Sequence, residues 1–122
     1  MVEVICDTNF LIHLATNRIK NLDRISLEIG TLTFLVPNVV LSELEKLKDN
    51  PIKKSQSTRT LEYIQKFQNI EIDGIYADEE ILNHIKNNKS FVATMDKEFK
   101  KKIKNLGSVV ISFQNNNMVM ES

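Results

Sequence analysis

Val2-Glu3-Val4-Ile5-Cys6-Asp7-Thr8-Asn9-Phe10-Leu11-Ile12 sets the pattern for the whole chain. Residues 2–6 are largely β-branched and almost continuously apolar, which marks a strand buried on both faces, hence central and parallel. The run stops at a carboxylate. Phe10, Leu11, Leu14 and Ala15 then recur at helical spacing, with Asp7 or Thr8 as the N-cap. In open α/β sheets ligands bind beyond the carboxyl ends of the strands. Asp7 is therefore placed either to cap a helix or to do chemistry, and the stretch alone does not choose.

Outward from this stretch the strand–helix alternation repeats. Ile19, Leu22, Ile25 and Ile29 predict an amphipathic helix over 19–29, ended by Gly30. Leu32–Val36 reads as a strand broken by Pro37-Asn38, and Val39–Lys48 as a helix carrying Val40, Leu44 and Leu47. A long polar helix over 52–68 turns Leu61, Ile64 and Phe67 inward; Ile70–Ile72 is a short strand before the Asp73-Gly74 turn. Helix 78–87, strand 90–94, helix 97–106 and strand 109–113 complete the series. Such alternation predicts a three-layer α/β/α fold around a mainly parallel sheet of about five strands. Residues 1–113 form one domain, and the polar residues 114–122 are expected to fray.

The 122 residues suit a single domain with one sizeable core, and 42% hydrophobic and 26% charged residues are ordinary for a globular protein. No apolar run approaches the roughly 18 residues a membrane span needs, and no basic-then-apolar leader opens the chain. The lone cysteine, Cys6, lies in the apolar strand, reads as a small core hydrophobe, and fits a reducing compartment. The expected location is cytoplasmic. Net charge is zero, with 16 basic and 16 acidic residues, which argues against a nucleic-acid binder working by global charge. The basic residues cluster instead, in 46–66 and 97–104.

The predicted strands end at Asp7, at Pro37-Asn38 with Glu43 in the first turns of the following helix, and at Asp96; Asp78 opens the helix after the third strand. If these four converge at one sheet edge, they repel one another and raise each other's pKa unless a cation joins them. Hard divalent ions take oxygen ligands, and Mg²⁺ keeps several of its waters. Carboxylates with Mg²⁺ or Mn²⁺ are equipment for turning water against a phosphodiester. Each acid alone has a plainer reading as a helix cap or solvated side chain. The joint pattern favours one site.

The segments Cys6-Asp7-Thr8-Asn9, Ser42-Glu43-Leu44, Ala77-Asp78-Glu79-Glu80-Ile81 and Ala93-Thr94-Met95-Asp96-Lys97-Glu98-Phe99 resemble the four acidic motifs of the PIN-domain ribonucleases, in order and spacing, across nearly the whole chain. The resemblance implies a five-stranded parallel sheet and metal-dependent cleavage of single-stranded RNA. It assigns Mg²⁺ or Mn²⁺ binding and catalysis to Asp7, Glu43, Asp78 and Asp96, with Thr8 or Asn9, and Thr94, in support. Tyr76-Ala77-Asp78 and Thr94-Met95-Asp96-Lys97-Glu98 are similar to the ribosomal-RNA processing branch, although Glu79 and Met95 depart from its usual residues. The alternative branch is the VapC-type toxins, and a third possibility is a non-catalytic RNA-binding module of the same fold. The implied partners are RNA and either a ribonucleoprotein assembly or an antitoxin, with a homodimer favoured by the family.

Glu98 reads either as a fifth, outer ligand or as the partner of a lysine on its own helix. Lys97 follows Asp96 directly; with Lys100 on one bank and Lys46 on the other it would contact RNA phosphates. His13 and His84 lack metal-like partners at a matching spacing and read as packed or surface residues. Two other α/β classes fail on their chemistry. A phosphoacceptor receiver needs an acid pair on the first strand and a lysine after the last, where Gln114 and three asparagines follow. A haloacid-dehalogenase-like phosphatase needs a second aspartate where Asn9 stands.

Overall fold

A computed structural model describes residues 2–21 and 30–121. The helix expected over 19–29 therefore lies largely outside the described residues. The sheet has the order β3-β2-β1-β4-β5-β6. Its strands are β1 (Val2–Cys6), β2 (Leu32–Pro37), β3 (Gln68–Ile70), β4 (Phe91–Ala93), β5 (Val109–Gln114) and β6 (Asn117–Glu121). All neighbours are parallel except β5 and β6. The described helices are α1 (Thr8–Thr16), α2 (Asn38–Leu47), α3 (Lys54–Tyr63), α4 (Ala77–Ile85) and α5 (Lys97–Asn105). A 3-10 turn, Ile64–Lys66, follows α3.

β1 lies between β2 and β4, and Val4, Ile5 and Cys6 are all buried in succession. Consecutive strand residues point to opposite faces, so both faces of the sheet are covered and the three-layer arrangement follows. Phe10, Leu11 and Leu14 bury the inner face of α1, which packs on α2 and α3. Val39, Val40 and Leu44 do the same for α2, and Ile81 and Ile85 for α4, which meets α2 and α5. α5 buries only Phe99 and Ile103 and turns its lysines outward. It ends in a Schellman motif: Ser108 N–H donates to Ile103 O at 3.2 Å and Gly107 N–H to Lys104 O at 3.0 Å, with Gly107 at φ +83°.

Three expectations are corrected. The third strand is Gln68–Ile70, not 70–72. Ile72 leaves the ladder in a tight turn onto Ile70 O, and its own carbonyl accepts the Val39 N–H at 3.0 Å, satisfying a free donor at the start of α2. The tail does not fray either, and the sheet has six strands rather than five. Asn115 and Asn116 adopt φ +54° and +60°, the left-handed pair that a two-residue hairpin turn demands and that asparagine tolerates. Residues 117–121 then return antiparallel to β5.

The hairpin is secured at both ends. The Asn21 side-chain amide donates to Met118 O at 2.8 Å and accepts from Met118 N–H at 2.6 Å, pairing part of an otherwise open edge. Glu121 accepts from Lys100 Nζ at 2.9 Å, from Lys104 Nζ at 3.1 Å and from the Ser112 hydroxyl. The Ser112 bond, then the ammonium groups, hold the Glu121 carboxyl well down, at about 2 against an ordinary 4.5. Because the cluster is partly solvated, Glu121→Gln should cost about 1 kcal/mol at pH 7 by chemical denaturation. A depressed pKa stabilises above the unfolded value, so the gap should close as pH falls from 4.5 towards 2.

Candidate active site

Four of the sheet's carboxyl-side segments meet in one cleft of about 220 Å³, lined by Asp7, Thr8, Asn9, Glu43, Ala77, Asp78, Asp96 and Phe99. Asp7 extends the β1 ladder by donating its N–H to Ala93 O at 3.0 Å. Its Oδ1 accepts the Phe10 N–H at 2.9 Å and so caps α1, while its Oδ2 accepts the Thr94 hydroxyl. Thr94, fully buried at the end of β4, also accepts the Asp96 N–H at 3.2 Å on the same oxygen. One hydroxyl thus ties Asp7 to the backbone that carries Asp96.

Asp96 caps α5 through Oδ1 alone, which takes the N–H groups of Glu98 at 2.9 Å and Phe99 at 3.2 Å. Its Oδ2 takes no hydrogen bond among the described residues. Cap and ligand are not alternatives at such a position, because capping uses one oxygen of a carboxylate that has two. Glu43 stands one turn into α2 and accepts the Thr8 hydroxyl at 3.1 Å. Asp78 lies in the exposed first turn of α4.

Asp7 is 8% exposed. Burial is the main cause that pushes its carboxyl up to about 6 from 3.8. The Thr94 and Phe10 hydrogen bonds pull it back, and the charges of Asp96 and Glu43 push it further up. Among the described residues no lysine or arginine lines the cleft. The chain thus holds an ionisable acid in a dry place beside two further acids with no cationic side chain to offset them, an arrangement that is costly unless a cation binds. The donor set is all oxygen, the set hard divalent ions choose. Among the described residues no three acidic, histidine or cysteine side chains converge tightly enough to cage an ion with protein atoms alone. A wider groove of about 470 Å³ between α4 and α5 is lined by Glu79, Leu82, Asn83, Lys86, Lys102, Asn105 and Leu106. It has one acid and two lysines, so it lacks this chemistry.

The structure therefore brings Asp7, Glu43, Asp78 and Asp96 together. Other expected residues fall differently. Thr8 supports Glu43 rather than Asp7, and Asn9 lines the cleft without a bond to Asp7. Glu98 is 80% exposed, lies 3.8 Å from Lys101 one turn along α5, and is not part of the cleft wall. Lys100 is bound to Glu121, which takes it from the phosphate-binding set. Lys46 and Lys97 are exposed and outside the cleft wall. His13 stacks on Phe113 at 4.5 Å, and its Nε2 lies 3.0 Å from Asn116 Oδ1, a packed residue as expected. Phe99, missed from sequence, lines the cleft because it lies one turn beyond the Asp96 cap.

Thr94→Val keeps the shape and removes the hydroxyl. On the reading of Asp7 as a metal ligand, it should lower turnover about 10- to 100-fold, as loss of a ligand's hydrogen-bond partner does. Thr94→Ser should keep most of the rate; equal losses in both variants would show that packing, not the hydroxyl, matters at this position.

A family model described as a PIN like domain matches residues 4–116. Ribonuclease VapC4 of Methanocaldococcus jannaschii is 32% identical over 109 residues, which cover 84% of this chain and 83% of that protein. Among solved structures, the PIN domain endonuclease Utp24 aligns with a TM-score of 0.80 at 26% identity, covering 98% of this chain and 90% of that one. VapBC2 from Rickettsia felis, solved bound to a DNA fragment from its promoter, aligns at 0.64 over 93% of this chain and 100% of that one. At 15% identity that likeness concerns the fold alone.

Proposed function

The chain belongs to the PIN-like domain family, and from that premise we propose that it is an endoribonuclease that needs Mg²⁺ or Mn²⁺. The observation that carries this reading is Asp7, a buried carboxylate in a cleft of four acids with no cationic side chain among the described residues. A divalent ion, when bound, supplies the acidity that lets water attack phosphorus near neutral pH and offsets charge on the phosphoryl oxygens. Asp7 and Asp96 are the residues proposed to hold it, with Glu43 and Asp78 completing the acidic wall. Thr94 keeps Asp7 and the Asp96 backbone in register, and Thr8 fixes Glu43 Oε2, leaving Oε1 to accept a proton or a water.

Of the two biological settings, ribosomal-RNA processing within a ribonucleoprotein assembly is favoured by the resemblance of Tyr76-Ala77-Asp78 and Thr94-Met95-Asp96-Lys97-Glu98 to that branch of the family. The 32% identity to VapC4 favours a second setting, a toxin ribonuclease held by an antitoxin. Expression of the chain alone separates them: growth arrest that Asp7→Asn relieves, with a small antitoxin gene alongside, marks the toxin. The nuclease reading is tested by incubating structured and unstructured RNAs with Mn²⁺. Cleavage should appear with metal and vanish in chelator; cleavage that persists in chelator would sink the metal requirement.

A further inference from the structure

Five large apolar side chains stand exposed among the described residues, and three of them, Ile75, Tyr76 and Met95, lie within two residues of side chains that line the cleft. Tyr76 immediately precedes Ala77 and Asp78, and Met95 immediately precedes Asp96; Ala77, Asp78 and Asp96 are walls of the cleft. Consecutive Cα atoms are about 3.8 Å apart, so both side chains start at the cleft's rim. Tyr76 is 60% exposed, and its side chain makes no hydrogen bond or aromatic stack among the described residues. Leaving a large aromatic side chain so open, next to a polar cleft, has no folding rationale and suits a binding surface.

Charge decides what that surface should bind. Among the described residues the cleft wall carries four acids and no base. Lys100 and Lys104 of α5 are committed to Glu121, which leaves the exposed Lys97 as the α5 ammonium that adjoins a cleft residue. An RNA backbone therefore meets four acids against the single neighbouring ammonium of Lys97, and an interaction that acids do not oppose adds affinity. Base–aromatic stacking is such an interaction, and only an unpaired base can present its face.

On the nuclease reading above, we propose that Tyr76, flanked by Ile75 and Met95, stacks an unpaired nucleobase next to the phosphate in the cleft, so that this rim selects single-stranded RNA. A paired base stays within its own duplex and cannot reach the platform. Substrate selection is thus built into the residue before the α4 acids rather than into surface charge.

The chain has two tyrosines and no tryptophan, so a Tyr63→Phe variant leaves Tyr76 as the sole strong emitter. The test uses this variant with Asp7→Asn to prevent turnover. Three ligands are titrated: a short oligouridylate, the same strand as a duplex, and its sugar–phosphate lacking bases. Tyr76 emission should be quenched by the single strand and not by the other two. Tyr76→Ala, compared at equal melting temperature, should weaken single-strand binding about 10- to 100-fold. Tyr76→Phe should restore it, and binding of the base-free strand should be unchanged. Equal quenching by the base-free strand, or Tyr76→Ala binding and cleaving RNA as the parent does, overturns the stacking platform and leaves the nuclease reading standing. Failure of the unsubstituted protein to bind or cleave any RNA overturns both.

Discussion

Replacing Asp7 with Asn should reduce RNA cleavage by roughly a thousandfold and at the same time make the metal-free protein more stable above pH 6. The loss follows from removing the buried negative charge proposed to hold the ion, a larger deletion than the single hydrogen-bond donors whose loss costs about 10²–10³. The stability gain follows from linkage. In the folded state the Asp7 pKa is about 6 against an ordinary 3.8, so the folded chain holds this proton more tightly than the unfolded one. A raised carboxylate pKa favours the fold below 3.8, and that advantage is lost as pH rises through about 6. The difference is roughly 3 kcal/mol. Asn carries no charge, so in chelator the variant should melt well above the parent at pH 8 and close to it at pH 4. Melting below the parent at pH 8 would mean that the Asp7 charge stabilises the fold, contrary to the desolvation argument.

Phe10→Ala should destabilise the chain by about 3–5 kcal/mol, a large share of a small domain's stability. Phe10 is fully buried, stacks on Phe113 of β5 at 4.6 Å and 12°, and meets Phe34 of β2 at 6.4 Å. Removing the ring opens a cavity between strands from both sides of β1. The same residue's N–H caps onto Asp7, so loosening α1 also frees the Asp7 carboxylate. Urea unfolding followed by circular dichroism measures the first effect. A cost below about 1 kcal/mol would mean that the site collapses around the gap and that α1 is not anchored there. Phe10→Leu, which fills much of the volume, should recover most of the loss.

Several of these features are legible in the amino-acid order, and the reason is local. A continuous apolar run that ends on an acid identifies β1 and Asp7, and the same grammar identifies β4 and Asp96. The polarity of residues 114–117 misleads, because Asn115 and Asn116 serve a left-handed backbone rather than disorder, and they fold β6 back onto the sheet. In that stretch Gln114 closes β5 and the turn follows it. Lys100 and Glu98 show a different limit. Both sit within a turn of Asp96, yet Lys100 is drawn to Glu121, 21 residues away, and Glu98 to solvent and Lys101. The bond between Thr8 and Glu43 spans 35 residues. Partners so distant are fixed by strand order, which spacing alone does not encode. Asp7 and Asp96 each cap a helix and also line the cleft, so the local signal of a cap and the distant signal of a site coexist in one residue.

Binding of Mn²⁺ to the purified chain at pH 7.5, followed by electron paramagnetic resonance, tests the central claim most directly. The carboxylate cleft predicts saturable loss of the free-ion signal with the unsubstituted protein, and binding at least tenfold weaker in both Asp7→Asn and Asp96→Asn. Equal Mn²⁺ binding by all three proteins would contradict it.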